Sequence, residues 1–242
     1  MAFLFEDKKT VCNGVTVKEY LLTHHNPNKI SIPSPRAKKL KGITIHNTDR
    51  ISVKGTTMAE QYTRATVNGN MNTVRVHYYV DEVEAWQNLP LDYQSWHAAD
   101  GQGDGNTATI SIECIMGSMN DERAEDNCAK LTAWLLHQNG LTTADVYTHT
   151  YWLNVRDGKG AELSKDARCI LKHTYKVCPI YIIPHWNKFI ERVQIYLDKL
   201  NKATPTAEDK LYRVQVGAFR SKANAEKLLE DVRKHFPDAY IK

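Results

Sequence analysis

Two histidines and one cysteine stand where predicted strands end. His46 closes the apolar stretch 43–46, His149 follows another β-branched stretch, and Cys178 precedes Pro179. Two imidazoles and a thiolate at strand ends can form the open site of a catalytic zinc, whose fourth position is left to water. Each residue also has an ordinary explanation, as a histidine at a sheet edge or as a structural Cys-Pro pair. Their joint order makes them candidate zinc ligands.

Glu113 is a candidate for acid–base chemistry. It lies in TISIECI at 109–115, whose β-branched residues predict a buried strand. Its carboxylate has no partner adjacent in the sequence, and burying an unpaired acid is costly. We therefore predict a functional role for Glu113, with a buried salt-bridge acid as the alternative.

Strands that alternate with helices must position these side chains. We predict an α/β fold with a central mixed β-sheet flanked by helices. The predicted strands are 43–46, 74–80, 82–87 and 109–115, and the predicted helices are 56–69, 121–139 and 184–200. Residues 100–107, rich in Gly, Asp and Asn, are predicted to form a loop.

The composition changes near the C-terminus. Residues 201–210 are polar, contain a proline and predict a linker, whereas 211–242 have the pattern of a short β-α-β piece. Its helix is expected to begin at Ser221 as N-cap, and its second strand at 238–241. This piece is too short to bury a core alone. The sequence thus predicts one full globular domain over 1–200, a linker over 201–210 and a small C-terminal module over 211–242.

Charge, hydropathy and cysteine usage exclude several classes. The 242 residues carry a formal net charge of +4, and Lys38, Lys39 and Lys41 are too few to predict a nucleic-acid surface. No run of about 18 apolar residues is present, so no membrane span is expected. Five cysteines, an odd number without close paired spacing, predict reduced thiols rather than a disulfide framework.

Six short motifs carry a family resemblance. They are ITIHNT at 43–48, VHYYVD at 76–81, SWHAADG at 95–101, NTATISIEC at 106–114, VYTHTYW at 146–152 and KVCP at 176–179. In this order they resemble the type 2 N-acetylmuramoyl-L-alanine amidases, which include phage lysozyme-amidases and peptidoglycan recognition proteins. Through YIIPHW at 181–186 the chain looks most similar to clostridial phage endolysins and autolysins. The resemblance implies hydrolysis of the amide bond between N-acetylmuramic acid and L-alanine of peptidoglycan.

The resemblance also implies a zinc cofactor and a role for each of six residues. The implied zinc ligands are His46, His149 and Cys178, and the implied catalytic residues are Glu113, Lys176 and His97. In such a site the metal polarises the amide carbonyl and acidifies water. The glutamate transfers protons, and the lysine and the loop histidine stabilise the oxyanion.

One spacing departs from the family pattern. His149 and Cys178 are 29 residues apart, which is wider than in most members, so 153–175 is interpreted as an insertion. His173 lies five residues before Cys178 and is a rival ligand. The T-H-x-x-W context favours His149, and His173 is then expected to be a solvent-facing helical histidine.

Two other functions remain open at this stage. A recognition module of the same fold would bind muropeptide without cutting it, but such homologues typically lack the cysteine ligand that Cys178 supplies. A cysteine amidase would use Cys114 or Cys178 as the nucleophile beside a histidine. Its activity would survive chelation.

The C-terminal module has a resemblance of its own. YRVQVGAF followed by NAEKLLEDV resembles the first half of the SPOR domain, a module that binds peptidoglycan glycan. With half a module present, pairing with a second copy of the chain is a further expectation.

The N-terminal stretch MAFLFEDKKTVCNG lacks the basic start and apolar core of a secretory signal. We therefore expect synthesis in the cytoplasm without a signal peptide, and action on the cell wall after release.

Overall fold

The computed structural model describes residues 6–158, 173–203 and 217–236, and its contacts divide the chain into two units, Met1–Ala203 and Thr204–Lys242. The strands of the first unit are β1 Lys8–Cys12, β2 Val15–Glu19, β3 Gly42–Thr48, β4 Tyr78–Val80, β5 Ala85–Gln87, β6 Thr109–Ile115 and β7 Val146–Thr148. The helices of the first unit are α1 Met58–Val67, α2 Asp104–Ala108, α3 Glu122–Gln138, α4 His149–Arg156 and α5 Trp186–Ala203, and the second unit contains α6 Lys222–Arg233.

A seven-stranded sheet in the order β1-β2-β5-β4-β6-β3-β7 forms the centre of the first unit. Strand β3 is parallel to both of its neighbours, β6 and β7. Strand β4 is parallel to β6 and antiparallel to β5, and β1 is antiparallel to β2. The sheet is therefore mixed, and the predicted α/β fold with flanking helices is confirmed.

The two faces of the sheet differ in character because side chains alternate along each strand. Ile43 and Ile45 of β3 belong to the main core, to which α3 and α5 also contribute. Thr44 and His46 alternate with them and so point to the opposite face, where α1 packs on Tyr79 in a second cluster. Burial of the isoleucines thus directs the polar residues of β3 to the other face.

Several predicted elements need correction. Of the predicted strand 74–80 only Tyr78–Val80 joins the sheet, because Arg75 instead makes an isolated bridge with Trp96. The predicted loop 100–107 contains helix α2. The Asp100 carboxylate accepts hydrogen bonds from the backbone N–H groups of Gly105 and Asn106, at 2.8 and 3.1 Å, so a local side chain stabilises this short helix.

Strands β1 and β2 were not predicted. Strand β1 carries two lysines and lies at the edge of the sheet, where only its last residue is buried. An edge strand of this kind lacks the strict apolar alternation by which a strand is recognised.

Most of the predicted linker 201–210 lies outside the described residues, as do the start of the first strand of the C-terminal module and all of its second strand at 238–241. The predicted helix is present as α6, and Ser221 precedes it without a side-chain capping bond. Within the described ranges, no helix combines the length and apolar character needed to cross a membrane.

Candidate metal centre and active site

Three buried side chains meet at one edge of the sheet. His46 lies near the end of β3, His149 is the first residue of α4 directly after β7, and Cys178 precedes α5. One ring nitrogen of each histidine and the sulfur of Cys178 all lie within 4.8 Å of one another. The parallel pairing of β3 and β7 explains the meeting of the two histidines, because the carboxyl ends of both strands lie at the same edge.

Thr150 joins the second histidine to the cysteine. Its backbone N–H donates to the carbonyl of Cys178 at 3.0 Å, and the Cys178 N–H donates to the Thr150 hydroxyl at 2.8 Å. The same hydroxyl lies 3.1 Å from the Cys178 carbonyl oxygen. Thr150 is fully buried and adjacent to His149. This contact brings the two candidate ligands together despite their separation of 29 residues.

Asn47 anchors the cysteine segment from the other side. Its side-chain oxygen accepts from the backbone N–H of Tyr181 at 2.9 Å, and its side-chain nitrogen donates to the carbonyl of Cys114 at 3.1 Å. Its backbone N–H also faces the Cys178 sulfur, a contact that by itself lowers the pKa of the thiol. Asn47 and Thr150 therefore hold Cys178 from both sides, and neither role was predicted from the sequence.

His173 does not belong to the cluster of candidate ligands. Its ring nitrogen Nε2 is 2.8 Å from a carboxylate oxygen of Asp157. The residue belongs to no helix, and its side chain is only 3% exposed. The expectation of a solvent-facing helical histidine is wrong, because the residue lies outside any helix and its side chain is covered. Among the described residues, the cluster of candidate ligands contains His149 and not His173.

The charge states of the three donors suit a metal ion. Burial lowers the pKa of His149 to about 3 and that of His46 well below its ordinary value, so both rings are neutral and carry a free electron pair. Burial, together with the Glu113 carboxylate, raises the pKa of the Cys178 thiol to about 12. A thiol of this kind becomes a thiolate when a cation binds beside it.

The geometry of the cluster also fits zinc. The Cys178 sulfur lies 3.7 Å from Nδ1 of His46. A tetrahedral zinc with ordinary bond lengths holds a sulfur and a nitrogen ligand about 3.6 Å apart. Neither ring nitrogen of His149 has a well-formed hydrogen bond among the described residues, although the backbone of Ala98 approaches the ring. Buried polar atoms rarely lack a partner, so the ring of His149 has a nitrogen available to bind an ion.

Glu113 lies beside this cluster. It is paired with His46 in the register of β6 and β3, and one carboxylate oxygen is 3.8 Å from Nδ1 of His46. The other carboxylate oxygen is buried and has no hydrogen-bond partner among the described residues. Burial raises the pKa of Glu113 to about 7, against the opposing charge of Lys176. A carboxyl group with a pKa near neutrality can both accept and release a proton.

Lys176 and His97 occupy different kinds of position. Lys176 is exposed, yet its charge acts on Glu113 and on all three candidate ligands. His97 is buried, and both of its ring nitrogens contact the protein: Nδ1 lies 2.7 Å from Nε2 of His46, and Nε2 lies 2.9 Å from the carbonyl oxygen of Gly105. It therefore has no N–H group free for an oxyanion. The expected oxyanion role of His97 therefore has no free N–H group to act through, and the expected role of Lys176 stays a prediction.

The chain belongs to the N-acetylmuramoyl-L-alanine amidase family, whose model matches residues 36–179. The model of the SPOR domain matches residues 190–242. Both resemblances predicted from the sequence motifs are confirmed. The SPOR match begins at residue 190, inside α5, and so starts well before the predicted start of the C-terminal module at 211.

Curated relatives and solved structures support this family assignment. The chain is 36% identical over 111 residues to the N-acetylmuramoyl-L-alanine amidase XlyA of Bacillus subtilis, which covers 46% of this chain and 36% of XlyA. It is 29% identical over 182 residues to CwlH of the same species, covering 74% of this chain and 61% of CwlH. The chain thus spans less than two thirds of the length of these relatives.

Among solved structures, a mutant endolysin from Bacillus subtilis is similar with a TM-score of 0.55 and 28% identity. The match covers 74% of this chain and 99% of the endolysin. The fold described above is therefore shared along nearly the whole length of that protein.

Replacing Thr150 tests the contact between Thr150 and Cys178 that brings the two candidate ligands together. Thr150→Val keeps the shape but removes the hydroxyl, which leaves the buried N–H of Cys178 without its acceptor. We expect the free energy of unfolding to fall by about 1–3 kcal/mol, measured by urea denaturation after treatment with a chelator. Thr150→Ser retains the hydroxyl and is the matched control. Equal losses in the two variants would show that the hydroxyl contributes nothing to this contact.

Proposed function

We propose that this chain is a zinc-dependent N-acetylmuramoyl-L-alanine amidase, which hydrolyses the amide bond between N-acetylmuramic acid and L-alanine of peptidoglycan. The observation that carries the proposal is the buried cluster of His46, His149 and Cys178. Glu113 lies beside it, and one of its carboxylate oxygens has no hydrogen-bond partner among the described residues. Family membership supports the choice of substrate bond, since the relatives XlyA and CwlH are named for this activity.

The proposed roles follow from the positions of the side chains. Zinc held by the two imidazoles and the thiolate supplies Lewis acidity toward the carbonyl and lowers the pKa of water. Glu113 takes the proton from the attacking water and delivers it to the leaving amine, because its raised pKa suits both transfers. The charge of Lys176, which already acts on Glu113, offsets the negative charge that develops on the carbonyl oxygen.

Unpaired polar atoms favour catalysis over simple binding. A recognition module has no need of a carboxylate with one oxygen buried and unsatisfied, as in Glu113, because such a group lowers stability. Enzymes retain groups of this kind where the chemistry uses them.

We propose different functions for the two parts of the chain. We assign hydrolysis to residues 1–200 and binding of peptidoglycan glycan to 211–242, joined by 201–210. The SPOR match supports the second assignment. The substrate lies in the cell wall, so the chain is proposed to act after release from the cytoplasm.

Metal removal and product analysis test the function. We expect about one zinc per chain, loss of activity on purified cell walls after chelation, and recovery when zinc is returned. The products should gain free amino groups on L-alanine without new reducing sugar ends. Full activity in protein stripped of zinc would exclude the metalloenzyme and leave the cysteine amidase, whereas new reducing ends alone would indicate a glycosidase.

Glu113→Gln tests the proposed base. The amide preserves size but cannot take a proton, so zinc should stay bound while turnover falls roughly 10²-fold or more. Zinc content and the rate of clearing of a wall suspension measure the two effects. Glu122→Gln, an exposed change at the start of α3, should leave both unchanged. A near-normal rate in Glu113→Gln would reduce this carboxylate to a structural role.

His149→Ala and His173→Ala decide which histidine is the second ligand. Removing a ligand from a three-residue site leaves the metal two protein donors, so His149→Ala should lose zinc and activity together. His173→Ala should keep both, since that ring pairs with Asp157 instead. Metal analysis with the same turbidity assay gives the answer. Loss of zinc in His173→Ala alone would overturn the proposed ligand set.

A further inference from the structure

A buried relay of hydrogen bonds ends at the candidate metal centre. The carbonyl oxygen of Gly105 lies 2.9 Å from Nε2 of His97, and Nδ1 of His97 lies 2.7 Å from Nε2 of His46. The remaining nitrogen of His46, Nδ1, faces the Cys178 sulfur at 3.7 Å and a Glu113 oxygen at 3.8 Å. His97 therefore connects a backbone carbonyl to His46, a member of the cluster.

The Gly105 carbonyl determines which ring nitrogen carries the proton in His97 and in His46. A carbonyl oxygen only accepts hydrogen bonds, so Nε2 of His97 carries a proton and donates it. A second proton on the His97 ring would make it a cation next to the metal site. Among the described contacts of this ring no carboxylate is present to stabilise such a charge. Nδ1 of His97 is then an acceptor, and Nε2 of His46 is the donor to it. The electron pair of His46 is left on Nδ1.

Helix α2 and the start of β6 hold His97 in this orientation. The backbone N–H groups of His97 and Ala98 both donate to the side-chain oxygen of Asn106, each at 2.8 Å. The hydroxyl of Thr109 donates to the Gly105 carbonyl at 2.6 Å. A Cβ atom at Gly105 would lie only 2.6 Å from the Cβ of Ala98. Glycine is therefore needed for the backbone at position 105 to pack this closely against Ala98, the residue that follows His97.

We propose that His97 is a positioning residue, which selects the tautomer of His46 so that Nδ1 is its metal-binding atom. Metal-bound histidines generally donate their other N–H group to a neighbouring acceptor, and loss of that acceptor weakens metal binding 10- to 100-fold. In this protein the acceptor is itself a histidine, oriented by the Gly105 carbonyl. The inference rests on the proposed metal centre and replaces the oxyanion role expected for His97.

Nuclear magnetic resonance of the ring nitrogens tests the tautomer without any substitution. In zinc-loaded protein labelled with ¹⁵N, His46 should show a protonated Nε2 and a metal-bound Nδ1. Zinc bound through Nε2 of His46 would overturn the inference while leaving the proposed function intact. A protein that binds no zinc would overturn both.

Two substitutions test the role of the acceptor. His97→Leu removes it, and we expect zinc affinity to fall about 10- to 100-fold, measured by competition with a chromophoric chelator. His97→Asn can place its side-chain oxygen near the position of Nδ1, so its affinity should stay within a few-fold of the parent. Saturating zinc should restore wall lysis to His97→Leu. Parental zinc affinity in His97→Leu, or equal losses in both variants, would contradict the proposal.

Discussion

The parallel pairing of β3 with β6 and β7 is the constraint on which the site depends. It sets His46 opposite Glu113 and brings the end of β7, and with it His149, to the same edge of the sheet. Because side chains alternate along a strand, a shift of one residue would turn His46 into the main core and an isoleucine out of it. Burial of Ile43 and Ile45 therefore fixes the register, and the chemistry follows from the packing on the other face.

The folded protein keeps an unfavourable polar cluster at this edge. Both nitrogens of His149 and one oxygen of Glu113 are buried without hydrogen-bond partners among the described residues, and burial shifts the pKa of each group toward its neutral form. Such groups lower stability in the absence of a ligand. A metal that binds only the folded state recovers part of that loss, so metal binding and folding are coupled in the proposed enzyme.

Sequence patterns predicted the central elements better than the contacts between them. β-branched residues identified β3 and β6, and motif order selected the three residues whose donor atoms meet, although their roles remain proposals. Thr150 was missed because its partner, Cys178, is distant in sequence and nothing in T-H-T signals the contact. The contacts of the His97 ring were not predicted, because a motif reveals the residue type but not which atoms its ring nitrogens contact. Helix α2 was missed because its stabilising carboxylate, Asp100, lies outside it.

The wide separation of His149 and Cys178 has a simple energetic explanation. Each doubling of a flexible loop adds only about 0.6 kcal/mol to the entropy cost of closing it. Thr150 contacts both the backbone N–H and the backbone carbonyl of Cys178. A typical hydrogen bond contributes about 0.5–1.5 kcal/mol to stability. These contacts lie at the two ends of the stretch that separates the ligands, directly beside His149 and at Cys178 itself. In this chain a long separation in sequence therefore costs little compared with what the contacts of Thr150, the residue adjacent to His149, contribute.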